Sequence, residues 1–226
     1  MKRKLENLDR RMRSKTYRKK EKRRLKERRH RNKKLIQKYP WLRAVDWYTM
    51  CPTYDKRNDL CGLWDDLPRG WLSAFGVQMC DEIQILLKEY SQDKTAYIEQ
   101  AKEKYGGMRI YMAAPHEVQE VIDIYSAISE NVCCMCGRPH VPMLNLSWIS
   151  PYCKSCFEKL QRRNEYFYQK PYETYAPESK EHWRIPNQLT WHRYSKGEES
   201  EYTIDISERV RQIERRWNEK HPDDMV

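Results

Sequence analysis

Glycine is scarce in this chain, at 7 of 226 residues, and nowhere does it form the G-x-x-x-x-G-K-[ST] pattern of a phosphate-cradling loop. Nucleotide hydrolysis of that kind is therefore excluded. The sequence also lacks any apolar run of about 18 residues and any charged leader followed by an apolar stretch. The expectation is a chain without a membrane span or secretion signal, residing in the cytoplasm. Acidic residues are nearly missing from the first 38 positions, which hold 4 of the 33 Asp+Glu but 20 of the 44 Lys+Arg. The result is an arm of net charge +16 on a body of net charge −5. Apolar residues make up only 39% of the whole, low for a packed globule of this length, so tails are expected.

What is present begins with that arm, residues 1–38. It contains neither Pro nor Gly and is rich in good helix formers, so it is expected to be helical when its charges are neutralised and to fray otherwise. Between Met12 and Leu25 its only large nonpolar side chain is Tyr17, which rules out the sustained apolar seam of a coiled coil. Clustered cations release counterions when they neutralise phosphates, and arginine-rich segments order on nucleic acid. The candidate phosphate contacts are Arg10, Arg11, Arg13, Arg18, Lys19, Lys20, Lys22, Arg23, Arg24, Arg28, Arg29, Arg31, Lys33 and Lys34. The alternatives are a solvated solubility tail or a segment docking on an acidic protein.

The body is expected to begin near residue 40, where Trp41, Trp47 and Trp64 appear. "CPTYDKRNDLCGLWDDLPRG" is rich in turn residues and reads as irregular. In "GWLSAFGVQMCDEIQILLKEY" the spacing puts Trp71, Phe75, Met79, Ile83, Leu86, Leu87 and Tyr90 on one helical face. "TAYIEQAKEKYGGMRIYMA" reads as two strands joined at Gly106-Gly107, with Met108, Ile110 and Met112 facing inward. "APHEVQEVIDIYSAIS" reads as a second helix with Val118, Val121, Ile122, Tyr125 and Ile128 buried. A short helix is expected from Lys154 to about Gln169, an extended surface segment over residues 170–190, and a final helix with Val210, Ile213 and Trp217 inward, capped by Ser207.

The strongest chemical signal is Cys133-x2-Cys136 and Cys153-x2-Cys156, separated by 16 residues. Two such turns deliver four thiolates to one tetrahedral ion, the ligand set of a structural zinc site. Gly137 follows the first pair, where the departing chain often needs a conformation that a side chain obstructs. Pairing Cys134 with Cys136 would cramp the loop, and His140 is a conceivable replacement for one thiol. The preferred reading makes Cys134 a small buried side chain and His140 a solvated turn residue. Four thiolates leave no coordination position for water, so one structural Zn2+ is expected and no catalytic residue. Cys51, Cys61 and Cys80 match no metal-binding spacing and read as core or surface thiols.

"HEVQE" at His116–Glu120 lacks the second His of a zinc-protease helix. A metal-dependent nuclease would need a site gathered from residues distant in sequence, such as Asp65, Asp66, His116 and Glu117. Tyr152, Lys154, Arg162 and Arg163 beside the second cysteine pair are further candidates for nucleic-acid contact.

The succession "RGWLSAFGVQMCDEI", "YIEQAKEKYGGMRIYM", "VCCMCGRPH" and "SWISPYCKSC" resembles an uncharacterised zinc-ribbon family from bacteriophages and bacterial mobile elements. The resemblance covers about residues 68–160. It implies a compact zinc-ribbon α+β domain with Cys133, Cys136, Cys153 and Cys156 as ligands, and it implies no activity. Cys134 departs from the family pattern.

The expected fold class is thus α+β: a small zinc-ribbon-containing domain with an amphipathic helix, a β-hairpin and a second helix, plus a basic helical N-terminal arm. The expected organisation is an arm at 1–38, the zinc-ribbon body at 39–169, and an aromatic-rich extended segment with a C-terminal helix at 170–226. The expected function is non-enzymatic binding of RNA or DNA in a bacterial host cytoplasm. The alternative is an adaptor that docks on a host or phage protein complex through its C-terminal Tyr and Trp residues.

Overall fold

The computed structural model describes residues 15–43, 45–46, 48–49, 65–163, 170–195 and 198–226, with backbone only for Lys180 and for residues 192–195 and 198–199. Arg10, Arg11, Arg13, Trp47, Cys51, Cys61 and Trp64 lie outside the described residues. The architecture is α+β, with three separate two-stranded antiparallel sheets.

The basic arm forms helix α1 (Lys15–Lys38). It is not a free-standing appendage along its whole length, as the arm boundary at residue 38 would have it. Asn32 is fully buried, and Leu35 and Ile36 pack against the main core. Buried Asn32 donates from Nδ2 to Asp65 Oδ2 at 2.7 Å, while Arg31 donates to Asp65 Oδ1 at 3.0 Å and to Asn32 Oδ1 at 2.9 Å. A buried amide is tolerable only with its partners in place, and here both come from charged groups. At the helix exit Tyr39 donates its hydroxyl to Asp81 at 2.7 Å and the Trp41 indole donates to Gln84 at 3.1 Å.

The central helix starts with a turn at Arg69–Trp71, widens into a π-helical segment over Leu72–Gly76, and continues as α2 (Val77–Glu89). Trp71, Phe75, Met79, Ile83 and Leu87 are buried as their spacing required. The widened turn adds Leu72, Ala74 and Gly76 to the buried set, because an extra residue per turn spreads contacts around the cylinder. Leu86 is only half-buried and Tyr90, where the helix ends, is exposed.

Strands β1 (Tyr97–Lys104) and β2 (Gly107–Ala113) form a hairpin. The turn sits one residue earlier than expected, at Tyr105-Gly106, whose φ values of +53° and +79° are those of a type I′ turn. Gly107 is already in β2, paired with Lys104. Met108 and Ile110 point into the core, where α3 (His116–Ser129) lays Val118, Val121, Ile122, Tyr125 and Ile128 over them.

After the cysteine region come the two-residue strands β3 (Met143–Leu144) and β4 (Ser150–Pro151), then α4 (Lys154–Arg163). Residues 170–190 are not an extended surface strap. They make 3-10 turns at Tyr172–Thr174 and Lys180–Trp183, and Tyr172 is buried in a second small core with Leu144, Leu146 and Phe157. The Phe157 ring meets Tyr172 and Tyr175 at centroid distances of 5.6 and 5.4 Å.

A hairpin absent from the sequence-based expectations follows: β5 (Gln188–Ser195) paired with β6 (Glu198–Asp205), Trp191 opposite Tyr202. Helix α5 (Ser207–Lys220) then returns Val210, Ile213 and Trp217 to the interior. Its first turn is capped not by Ser207 but by Asp205, whose Oδ1 accepts the Ser207 backbone N–H at 2.8 Å. Ile185, Ile206, Val210 and Ile213 belong to the same core as α2 and α3, so the C-terminal third is built into the body. Among the described residues no helix is long and apolar enough to cross a membrane.

Candidate metal centre

The first cysteine pair lies on a tight turn immediately after α3. The Cys133 N–H donates to Arg138 O at 2.8 Å and the Gly137 N–H to Cys133 O at 2.9 Å, folding the turn back on itself. Gly137 takes φ +87°, the left-handed conformation that glycine adopts without steric penalty. The second pair spans the start of α4: Cys153 precedes the helix, Cys156 sits in its first turn, and the Phe157 N–H donates to Cys153 O at 3.0 Å.

These two turns bring the sulfurs of Cys133, Cys136, Cys153 and Cys156 within 4.8 Å of one another, a group that can hold a metal ion. Cys136 and Cys153 Sγ are 3.7 Å apart, far beyond the roughly 2.05 Å of a disulfide. Cys133, Cys153 and Cys156 are buried and Cys136 half-buried. Hydrogen bonds from Cys136, Cys153 and Cys156 hold the Cys133 thiol well below its ordinary pKa. The same contacts, seen from the other end, push Cys156 and Cys153 upward, each hydrogen-bonded to the Cys133 sulfur that ionises before it. Cys136 is also lowered, the Cys133 contact that raises it being outweighed by hydrogen bonds from Cys153 and Cys156. Two thiolates form readily and the other two resist, which is the electrostatic condition a bound cation relieves.

Cys134 is outside this group and is half-buried, packed against the edge of the main core, rather than buried as expected. Its backbone is used instead: the N–H donates to Pro151 O at 3.0 Å and the carbonyl accepts from Gly70 N at 2.9 Å. Burial pushes its thiol up to about 12, with the neighbouring Cys133 charge adding to the effect. Cys80 is a fully buried core thiol on α2. His140 is not a solvated turn residue. It is half-buried at φ +57°, its Nδ1 accepts the Ile185 N–H at 3.1 Å, and Nε2 stands 2.7 Å from Glu214 Oε1 on α5. The backbone contact fixes the tautomer, so Nε2 carries the proton given to Glu214.

A contact no motif announced locks the first turn to the central helix. A Cβ placed on Gly70 would stand 2.2 Å from Cys133 O, and one on Gly137 would stand 2.6 Å from Gly70 O. The two glycines therefore let helix start and cysteine turn touch backbone to backbone, and the Trp71 indole closes the join by donating to Val132 O at 2.8 Å. Beside the cluster runs a groove of about 880 Å³, lined among others by Cys136, Cys153, Arg138, Lys154 and Trp217.

The remaining candidates are dispersed. Arg18, Lys19, Lys20, Lys22, Arg23, Arg24, Arg29, Lys33 and Lys34 are exposed on α1, whereas Arg28 and Arg31 turn toward Asp65 at 3.9 and 3.0 Å. Those two belong to the join between arm and body. Lys154 is paired with Glu173 at 2.7 Å, Tyr152 is half-buried, and Arg162 and Arg163 are exposed at the end of α4. Asp65 serves α1, while His116 pairs with Glu120 in its own helix at 3.3 Å. No protein-family model, curated protein or solved structure matches this chain.

Proposed function

We propose that this chain is a non-enzymatic nucleic-acid-binding protein of bacteriophage or mobile-element type, acting in the host cytoplasm. Its body is a zinc ribbon, and α1 contacts the phosphate backbone of RNA or DNA. Cys133, Cys136, Cys153 and Cys156 would hold one Zn2+. Thiolates about 2.3 Å from a tetrahedral ion stand roughly 3.8 Å from each other, close to the 3.7 Å between Cys136 and Cys153. With four thiolates bound, the ion has no position for water, and its contribution is to hold the two turns together.

The observation that carries the binding role is α1. Its 24 residues include fourteen Lys and Arg against Glu21 and Glu27, a net charge of +12. At about 1.5 Å per residue it is a rod roughly 36 Å long. Lys15–Lys20 and Lys22–Glu27 are exposed, and the contacts seen between the helix and the described part of the body run from Arg28 to Lys38, toward its C-terminal end. Fixing one end of such a rod presents its cations as a stripe, and neutralising phosphates releases condensed counterions. The adaptor reading draws less support. Of the C-terminal aromatics it depends on, Tyr172 and Trp217 are buried and Tyr175, Trp183, Trp191 and Tyr202 half-buried.

Deleting the arm through Lys38 would also remove Asn32, Leu35 and Ile36 from the body, so substitutions make the cleaner test. Lys19, Lys20, Lys22 and Arg23 changed together to Gln should weaken binding to any nucleic acid and flatten its salt dependence. For about six phosphate contacts, log affinity should fall against log salt with a slope of about −4 to −5. Unchanged affinity and slope in the Gln variant would refute the role of α1.

A further inference from the structure

We infer that the tips of two hairpins form a base-stacking platform for single-stranded nucleic acid. This rests on the nucleic-acid reading above and adds to it a second surface on the body. The Glu103 carboxylate ties the tips together: Oε1 accepts the Gly106 N–H in the β1–β2 turn at 2.6 Å, and Oε2 accepts the Trp148 indole N–H, between β3 and β4, at 2.8 Å. A Cβ on Gly106 would stand 2.3 Å from Met143 Sδ and 3.2 Å from Ile149 O, so the two tips touch because that residue is glycine.

The platform leaves its aromatic rings in solvent. Trp148 is 58% exposed and Tyr105 69%, although the Trp148 indole N–H is satisfied and its orientation thereby held. The oriented indole at one tip and the phenol at the other are both exposed aromatic surfaces. The local cations say what covers them. Lys104 lies over the Tyr105 ring at 5.4 Å, and along the same hairpin Lys102 lies over the 45%-exposed Tyr111 at 5.4 Å. The nearby acids are engaged: Glu103 accepts both tip N–H groups and Glu130 stands 3.8 Å from Arg109. Two lysine–tyrosine pairs on the β1–β2 hairpin, with the Trp148 indole tied to its tip through Glu103, supply the π-faces and cations that a strand of unpaired bases uses, its bases stacking while its phosphates meet cations. In a duplex the base faces are already stacked inside, so the platform favours a single strand.

The test compares a fluorescein-labelled oligothymidylate with a duplex of equal length, by anisotropy, for four proteins. Wild type should bind the single strand more tightly. Trp148→Ala should weaken single-strand binding by about 5- to 150-fold, the range for losing one base–aromatic stack, and leave duplex binding and the salt slope unchanged. Tyr105→Asn removes a ring while keeping a residue that tolerates positive φ, so it should reproduce the selective loss with metal content and thermal midpoint intact. The fourth protein, the four-site Gln variant of α1, should lose affinity for both ligands. If the aromatic variants match wild type while the Gln variant is weakened, the platform is overturned and the α1 reading stands. If the aromatic variants lose single-strand binding while the Gln variant does not, the reverse holds. Equal binding of single strand and duplex by wild type overturns the platform and leaves the patch to a protein partner.

Discussion

Substituting Gly70 by Ala sets two effects of opposite sign against each other. Gly70 lies in the helical turn Arg69–Trp71, and by helix propensity alone Ala should stabilise the chain by about 1 kcal/mol. The contact predicts the opposite. The new methyl would stand 2.2 Å from Cys133 O, 2.6 Å from Cys134 C and 2.7 Å from Cys134 O, where ordinary contacts are roughly 3.5 Å or more. These neighbours are backbone atoms of the metal-binding turn and have no rotamer to change. Helix and turn must separate by about 1 Å, weakening the bonds from Gly70 N to Cys134 O and from the Trp71 indole to Val132 O. Overpacking costs about 1–3 kcal/mol and each hydrogen bond contributes about 0.5–1.5 kcal/mol. After the propensity gain, a net loss of about 1–5 kcal/mol remains. Denaturant unfolding of the metal-loaded protein measures it, and competition with a chelator should show weaker metal retention, since the displaced atoms belong to Cys133 and to Cys134 within the same metal-binding turn. A Gly70→Ala protein as stable as wild type or more so would refute the close approach as a determinant of the fold.

Two further outcomes test the metal centre and a helix cap. Elemental analysis should find close to one zinc per chain. Cys156→Ser should lose the metal on dialysis and lower the thermal midpoint, because binding to a site absent from the unfolded chain is folding free energy; a metal-free wild type that still unfolds cooperatively would contradict the assignment. Asp205 has its pKa lowered by the Ser207 backbone N–H and then by the Ser207 side chain. The folded value is thus below the unfolded value near 3.9, so its contribution is present above that pH and is lost as pH falls through the folded pKa. The stability difference between wild type and Asp205→Ala, followed by thermal unfolding at several pH values, should shrink toward zero in strong acid. A difference independent of pH would place the effect elsewhere.

What could be read in the sequence was whatever is encoded within a few residues. The stripe of Val118, Val121, Ile122, Tyr125 and Ile128 and the inward Val210, Ile213 and Trp217 follow from helical period, and the four cysteines announce themselves by spacing. Contacts between segments far apart were not legible. Asn32 sits in an almost purely cationic run, and nothing local marks it as the one side chain there that must be buried; only Asp65, 33 positions away, explains it. His140 reads as a turn residue until Ile185 and Glu214 arrive from the C-terminal third. The β5–β6 hairpin had a usable signal, apolar Leu189 and Trp191 answered by Tyr202 and Ile204 around Lys196-Gly197. Dense charge between them masked the period-2 alternation. The β1–β2 turn slipped by one residue because two adjacent glycines invite the turn, while a tyrosine accepting φ +53° is unusual.

The same long-range contacts bear on how the metal centre serves the rest of the chain. The first cysteine turn touches the start of the central helix through Gly70 and Trp71, and its flank reaches the C-terminal third through His140 and through the Asn131 side chain, which donates to His182 O at 2.8 Å. Segments that close sequence-distant loops are where an ordering ion restricts the unfolded chain most. Among the described residues α1 has no such contact with the four clustered cysteines. It is joined to the body through Asp65, Asp81 and the core contacts of Leu35 and Ile36. Metal removal should therefore loosen the join between the central helix and the C-terminal third while leaving the cationic stripe of α1 chemically intact. Backbone-phosphate affinity should then outlast the metal, whereas single-strand preference should not, because the Trp148 tip lies between β3 and β4, in the segment bounded by the two cysteine pairs.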